Sequence, residues 1–325
     1  MRPFQPVVSN PHLLTILGNF WPRRIDLARF PERRRLYATE PGVQVLAIEQ
    51  SPLCEPVAHL VLLHGLEGSH EAGYMVSMAQ AALEAGYRVS RLNMRSCGGT
   101  EELAPTLYHA GLTSDLRCVL ETVRSESSLP LFATGYSLGA NVVLKLAGEL
   151  GEGGRDLVSG FCAVSAPLDL AECVREISKF SNRLYEQRFV SRLKDRYGRR
   201  NQAMPEQFPA DGLAAVRTVY EFDDRFTAKA FGFGTADNYY ATQSSIGFLN
   251  GIRVPTLLIQ AKDDPMIPFA VFETDALRRN PCLRLLAVEK GGHIGFIARS
   301  GPRFWQDGVI LDWLAEQMAS SARLV

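Results

Sequence analysis

Short runs that are apolar almost without interruption alternate along this chain with longer stretches in which apolar residues recur every three or four positions. Leu60 to Leu63, Val89 to Leu92, Leu131 to Thr134 and Phe161 to Val164 are runs of the first kind. Their length and the turn residues around them predict buried strands. Between them, Tyr74 to Ala85 places Met75, Met78, Ala79, Ala82 and Leu83 at helical spacing before Gly86 stops it. Helices are likewise predicted from about Thr113 to Val123 and from Leu138 to about Leu150. Strand, helix, strand in repetition is the pattern of a parallel sheet covered on both faces, since a strand that is apolar on both sides has no face to turn to water. Ahead of this series, Arg35 to Ala38 and Val43 to Ile48 flank Pro41-Gly42 and predict a hairpin.

The alternation breaks from Pro167 to roughly Asn250, where charged helical stretches and aromatic residues replace buried strands. Glu172 to Arg196 reads as one long or broken amphipathic helix. Its apolar stripe is Val174, Ile177, Phe180, Leu184, Phe189 and Leu193, with Arg175, Lys179, Arg183, Arg188, Arg192, Lys194 and Arg196 largely toward solvent. The alternation resumes with a strand at Thr256 to Gln260, a helix beginning near Phe269 and a strand at Leu283 to Val288. A final amphipathic helix contains Phe304, Ile310, Trp313, Leu314 and Met318. The expected architecture is an α/β fold: a mostly parallel central sheet flanked by helices, with a mainly helical cap inserted after the sixth strand. Residues 1–166 and 251–325 would form the core and 167–250 the cap. Such an insertion emerges at the carboxyl ends of the strands, where sheet ligands bind.

Composition narrows the partners. The 325 residues are 46% hydrophobic and 22% charged, enough for a large core. Lysine plus arginine (35) equals aspartate plus glutamate (35), which gives no long-range pull toward nucleic acid or anionic membrane. Pro11, His12, Asn19 and Pro22 interrupt the apolar part of the start, so neither a signal peptide nor a membrane span is expected, and the default is a cytoplasmic enzyme. Six scattered cysteines form no close pair, and the six histidines form no H-E-x-x-H cluster, although His64 and His70 flank Glu67 and Glu71. No metal or cofactor is expected.

The chemistry is concentrated in three loops. Gly135-Tyr136-Ser137-Leu138-Gly139 sits between a predicted strand and a predicted helix, the context in which G-x-S-x-G makes a nucleophile elbow with Ser137 at its tip. A serine hydroxyl needs a base, whose tautomer is fixed in turn by an acid. His293, in Gly291-Gly292-His293, is the only histidine after Ser137 and follows the strand ending at Val288. The acid falls in Lys262-Asp263-Asp264-Pro265. Adjacent loop residues seldom point the same way, and Asp264 is favoured because Pro265 restricts its backbone. Asp263 stays open as the alternative, with loop or helix capping as its structural role. The oxyanion of a tetrahedral intermediate needs backbone donors. These are expected to be the N–H of Leu138 and, from His64-Gly65-Leu66-Glu67-Gly68, the N–H of Leu66. Tyr108-His109 either lines a pocket or holds a loop, with Asp115 as a partner for backbone or for Arg95. Of the cap aromatics Phe222, Phe226, Phe231, Phe233, Tyr239 and Tyr240, about two would face an apolar ligand and the rest would form the cap's own core.

Taken together these residues resemble the α/β-hydrolase superfamily and, within it, the YheT-like branch, the AB hydrolase-4 family. The resemblance spans nearly the whole chain. It extends to Asn10-Pro11-His12-Leu13-Leu14-Thr15-Ile16, Asn93-Met94-Arg95-Ser96-Cys97-Gly98-Gly99, Tyr108-His109-Ala110-Gly111 with Asp115, and Phe233-Gly234 through Ser244-Ser245. It implies that Ser137, Asp264 and His293 take the charge-relay positions. It also implies carboxylic-ester hydrolysis of small, lipid-like esters, with acylglycerols among the substrates of some relatives. Its spacing favours Asp264 over Asp263. Ser96, Gly98 and Leu14 depart from the branch's usual residues and bear on pocket shape. Two other readings use the same fold: acyl transfer to an alcohol or thiol through the same acyl-enzyme, and a non-catalytic binding protein. The survival of serine, acid, base and donor loop in order counts against the latter.

Overall fold

In the computed structural model, which describes residues 3–321, the chain opens with helix α1 (Pro11–Phe20), started by Pro11 and capped by the Asn10 side chain, which accepts the Leu13 N–H at 3.0 Å. The hairpin follows as β1 (Arg33–Glu40) and β2 (Val43–Gln50). Strand and helix then alternate through β3 (Ala58–Leu63), α2 (Gly73–Glu84), β4 (Tyr87–Leu92), α3 (Ser114–Glu126), β5 (Leu131–Tyr136), α4 (Leu138–Leu150), the short α5 (Gly154–Leu157) and β6 (Gly160–Val164). The insertion after β6 is helical: α6 (Leu170–Ile177), α7 (Arg183–Ala203), α8 (Val219–Phe222), α9 (Ala228–Ala230) and α10 (Ala236–Gln243). The chain returns to the sheet with β7 (Thr256–Ala261), α11 (Asp275–Arg279), β8 (Leu283–Val288) and α12 (Trp305–Ser321).

The eight strands form one sheet in the order β1-β2-β4-β3-β5-β6-β7-β8. The two pairings made by β2 are antiparallel, and all pairings from β4 through β3 to β8 are parallel. Alternation along each strand splits the core into two layers. Val61 and Leu63 of β3 point to the side of α3 and α4, where Leu120, Val143 and Leu146 are buried. Leu60 and Leu62 point to the side of α2 and α12, where Met75, Met78, Ile310 and Trp313 are buried. Burying such a side chain fully contributes roughly 1.5–3 kcal/mol, so both helical layers are held firmly to the sheet. Among the described residues no helix is long and apolar enough to cross a membrane.

Of the two forms expected for the stretch from Glu172, the broken one is found: the Asn182 side chain donates to Glu176 O at 2.9 Å and to Pro265 O at 2.6 Å, which turns the chain between α6 and α7. Three expectations are corrected. Phe180 and Leu184, expected on the apolar stripe, are thrown into solvent by that turn. Arg196 is buried instead of solvated, because the core beneath α7 offers it the Glu67 carboxylate, the Tyr108 hydroxyl and the Cys97 sulfur. The segment from Phe269 makes only a 3₁₀ turn to Phe272, and α11 starts separately where the Thr274 hydroxyl accepts the Leu277 N–H.

The tightest contact in the fold is where β3, β5 and α4 meet. A Cβ built on Gly139 would lie 2.3 Å from His64 O and 2.6 Å from Leu63 O, and one on Gly135 would lie 2.2 Å from Gly139 O. All of these neighbours are backbone, so none can rotate away. Gly139→Ala is therefore expected to destabilise by about 3 kcal/mol, the upper end of ordinary overpacking. Gly153→Ala, at φ −62° with nothing within 4 Å of the added carbon, should change stability by less than about 1 kcal/mol. Urea unfolding of the two variants measures the contrast, and equal midpoints would contradict it.

Candidate active site

The elbow puts Ser137 between the last residue of β5 and the first of α4, with φ 51° and ψ −122°. A non-glycine residue in that region is strained, and it persists only where its surroundings leave no alternative. Here the Ser137 N–H donates to Val164 O at 2.9 Å, while its carbonyl accepts the Ala140 N–H at 2.8 Å. The strand and the helix thus each hold one side of the residue. Its hydroxyl stands at the carboxyl edge of the parallel strands.

His293 reaches that hydroxyl from the loop after β8. Its Nε2 lies 2.9 Å from Ser137 Oγ and its Nδ1 lies 2.8 Å from Asp264 Oδ2. Asp264, in the loop after β7, has a fully buried side chain. Its Oδ1 accepts the N–H groups of Met266 (2.9 Å) and Ile267 (3.1 Å), which fixes the carboxylate plane. Asp263 points elsewhere: its Oδ1 accepts the Gly292 N–H at 3.0 Å, so the neighbouring carboxylate holds the backbone of the histidine loop.

Helix α1 is the platform for that loop. The Thr15 hydroxyl accepts the His293 N–H at 2.9 Å and donates to Pro11 O at 2.8 Å. A Cβ on Gly292 would lie 2.4 Å from Pro11 O, and one on Gly18 would lie 2.7 Å from Gly295 Cα, so helix and loop touch backbone to backbone. Leu14, which departs from the pattern of the resembling branch, is fully buried in this contact and does not reach the cavity.

Two backbone donors near Ser137 are left open. In the loop after β3, the Gly65 N–H donates to the Tyr74 hydroxyl (3.0 Å), the Glu67 N–H to the Tyr108 hydroxyl (2.9 Å) and the Gly68 N–H to Gly65 O (3.0 Å). The Leu66 N–H between them has no partner among the described residues, and neither has the Leu138 N–H at the start of α4. A Cβ on Gly65 would lie 3.0 Å from Ser137 Cβ, so the loop passes directly against the elbow. Tyr74 and Thr15 were not legible as site residues, since a tyrosine or threonine bonded to a backbone group leaves no spacing signal, whereas Tyr108, singled out with His109 in the sequence, holds the donor loop at the Glu67 N–H.

Two cavities meet at Ser137 and His293. The larger, about 620 Å³, is open to solvent and is lined by α1, the Leu66 loop and the outward side of α7, including Phe20, Arg188, Arg192 and Arg199. The smaller, about 90 Å³, lies under the cap against Leu138, Leu170, Val174, Ile177, Phe189 and Leu193. Three of the six cap aromatics, Phe222, Tyr239 and Tyr240, border it, whereas Phe226 packs in the cap core and Phe231 and Phe233 pack on the His109 ring.

His109 does both of the things its sequence position allowed. It borders the smaller cavity, and its Nδ1 accepts the Gly111 N–H at 3.2 Å, with burial pushing its pKa down to about 3. Asp115 clasps Arg95 through Nε at 2.7 Å and Nη2 at 2.8 Å, which ties the Arg95 loop to α3. His64 is fully engaged as well: its Nδ1 donates to Gly65 O (2.8 Å), its Nε2 accepts the Met94 N–H (3.1 Å), and burial lowers its pKa to about 4. Among the described residues no cluster of histidine, cysteine, aspartate or glutamate could hold a metal ion.

Comparison with known proteins bears on the family and the fold. A model of the alpha/beta hydrolase fold matches residues 58–300. YheT of Escherichia coli is 33% identical over 322 residues, covering 97% of this chain and 93% of that protein. A monoacylglycerol lipase of Saccharomyces cerevisiae is 30% identical over 259 residues, covering 76% of this chain and 57% of that one. Among solved structures, the Pyrococcus furiosus esterase Pf2001 superposes with a TM-score of 0.60 at 18% identity, covering 97% of this chain and 98% of that chain, a likeness of fold alone. Fold, elbow and near-full-length similarity converge: the chain belongs to the α/β-hydrolase superfamily and to its YheT-like branch.

Proposed function

We propose that this protein hydrolyses carboxylic esters with an apolar acyl group through an acyl-enzyme on Ser137. His293 acts as general base and then general acid, Asp264 fixes the histidine tautomer, and the N–H groups of Leu66 and Leu138 receive the oxyanion. The observation that carries the reading is the unbroken chain Ser137 Oγ, His293 Nε2, His293 Nδ1, Asp264 Oδ2 with links of 2.9 and 2.8 Å. With Asp264 accepting the Nδ1 proton, Nε2 is left free to take the proton of the serine hydroxyl as Oγ attacks the carbonyl carbon. The carbonyl electrons move to oxygen, facing two donors that have no partner among the described residues. The imidazolium then gives its proton to the leaving alcohol, and water repeats the sequence to release the acid.

The smaller cavity is the acyl site in this reading, since aliphatic and aromatic side chains of the cap and core dominate its wall. The larger cavity receives the alcohol part. Residues 167–250 serve as the cap and residues 1–166 and 251–325 as the catalytic core. Six free thiols, three of them buried, fit a reducing compartment and a cytoplasmic enzyme. The lipid-ester preference is supported by the apolar cavity and by similarity to a protein named monoacylglycerol lipase.

A fluorophosphonate should label the folded protein once, at Ser137; peptide mapping that finds the label on another serine would remove the nucleophile assignment. Asp264→Asn should lower turnover of an activated ester by roughly four orders of magnitude while leaving the fold intact, as expected when the tautomer is lost. Asp263→Asn should cost far less, because it weakens the bond to the Gly292 N–H and a 3.9 Å ion pair with Lys290 but leaves the partner of the His293 ring in place. The reverse ranking would move the acid role to Asp263. Across p-nitrophenyl esters from acetate upward, catalytic efficiency should rise a few-fold per carbon, from about 0.8 kcal/mol for each methylene buried, and then fall at a chain well short of palmitate. A profile that declines steadily from acetate would rule out the apolar acyl site.

A further inference from the structure

Exposed apolar side chains are unevenly distributed over this surface. Of the ten large apolar residues that stand exposed among the described residues, five lie on two short segments. Leu13, Ile16 and Phe20 occupy one face of α1 at i, i+3 and i+7, and Phe180 (79% exposed) lies in the 3₁₀ turn just before α7 and Leu184 (71%) in its first turn. The segments adjoin. The His12 ring stacks on Tyr185 with centroids 5.8 Å apart, and the Arg188 guanidinium lies 5.3 Å from the centre of the Phe20 ring. Single exposed leucines need no explanation, but a cluster of this kind on neighbouring helices marks an interaction surface.

The cations around the patch indicate its partner. Arg183, Arg188 and Arg192 are exposed, and none has an ion-pair partner among the described residues. Glu186, the carboxylate within this stretch of α7, is buried and taken by the Ser178 hydroxyl. Arg183 lies over the Phe180 ring at 4.5 Å, as Arg188 does over Phe20. Apolar rings with guanidinium groups beside them match the boundary of an anionic lipid layer, where rings enter the acyl region and cations stay among the headgroups.

The patch is also continuous with the larger cavity. Ile16, Phe20, Tyr185, Arg188 and Arg192 line the same space as Ser137 and His293. We infer that the face formed by α1 and the start of α7 docks on an anionic lipid surface, so that an ester passes from the layer to Ser137 without crossing bulk water. The purpose of docking rests on the ester-hydrolase reading; its existence does not. With 35 basic and 35 acidic residues the protein has no net charge, so the attraction is local and falls with salt.

The full-length protein is to be sedimented with sucrose-loaded vesicles of phosphatidylcholine alone and of phosphatidylcholine mixed with phosphatidylglycerol, at low and at high salt. Binding is expected only to the anionic vesicles and should weaken with salt. Phe180→Ser/Leu184→Ser and, separately, Arg183→Glu should each lower the partition coefficient by roughly tenfold. None of these three residues lines either cavity, so turnover of soluble p-nitrophenyl acetate should not change. Absence of binding to anionic vesicles at low salt would overturn the inference, as would binding that all these variants retain. A dimer in sedimentation velocity that Phe180→Ser/Leu184→Ser abolishes would give the face to a second copy and overturn it equally. If the double variant fails to fold, Arg183→Glu and the salt series still decide. Vesicle binding without ester turnover would support docking while removing the hydrolase reading.

Discussion

The backbone crossing of β3, β5 and α4 is the constraint on which the rest depends. Gly135 and Gly139 let strand and helix approach to distances that a single methyl group would forbid, and this approach holds Ser137 at a positive φ. The strain, of order 1–3 kcal/mol, is small against the burial of Val143, Leu144, Leu146 and Ala147 that anchors α4 to the sheet. The same crossing sets the donors. Leu138 is the first residue of the helix and has no earlier turn to bond to, and Gly65 brings the loop after β3 against Ser137 Cβ. One packing event therefore places the hydroxyl and both open N–H groups, with no separate element needed to position them.

The histidine is positioned by a second contact of the same kind. Helix α1 and the loop after β8 meet backbone to backbone at Gly18, Gly292 and Gly295, and Thr15 holds the His293 N–H. Asp263 and Asp264 divide the remaining work, one fixing the loop at Gly292 and the other the ring at Nδ1. A segment at the start of the chain thus contributes to a site whose three side chains come from much later in it.

This division explains which parts could be read from the sequence. Each strand reads as a short apolar run because it is buried on both faces, and the elbow reads because glycine at two fixed offsets from a serine answers a local steric demand. His293 was legible by order alone, being the only histidine after Ser137. What escaped depends on partners far away in the chain. The role of Thr15 requires the His293 loop, 278 residues away, and the burial of Arg196 requires Glu67, 129 residues away. A periodicity argument saw in α7 an apolar stripe and a basic face. It could not see that the buried face, Val190, Leu193, Arg196, Tyr197 and Arg200, would itself carry two arginines. Nor could it place the break at Asn182, since the carbonyl that receives its amide belongs to Pro265 in the loop that carries Asp264.

The buried Arg196–Glu67 pair shows how the cap and the donor loop are coupled. Glu67 follows Leu66 and sits at φ 56°, its N–H held by Tyr108. Its carboxylate is taken by Arg196 on α7, and Arg196 also donates to the Tyr108 hydroxyl at 3.1 Å and to Cys97 Sγ at 2.8 Å. Removing one partner of such a pair leaves an uncompensated buried charge at a cost of about 3–5 kcal/mol, comparable with much of a domain's net stability. α7 therefore cannot lift from the core as a freely moving lid without parting Arg196 from the Glu67 carboxylate beneath it. Any opening of the cap must either begin elsewhere or carry Glu67 along, and displacing Glu67 displaces the neighbouring Leu66 N–H. The seating of α7 and the position of the Leu66 N–H are in this way coupled through one ion pair, and the larger cavity beside α1 reaches Ser137 without passing through it.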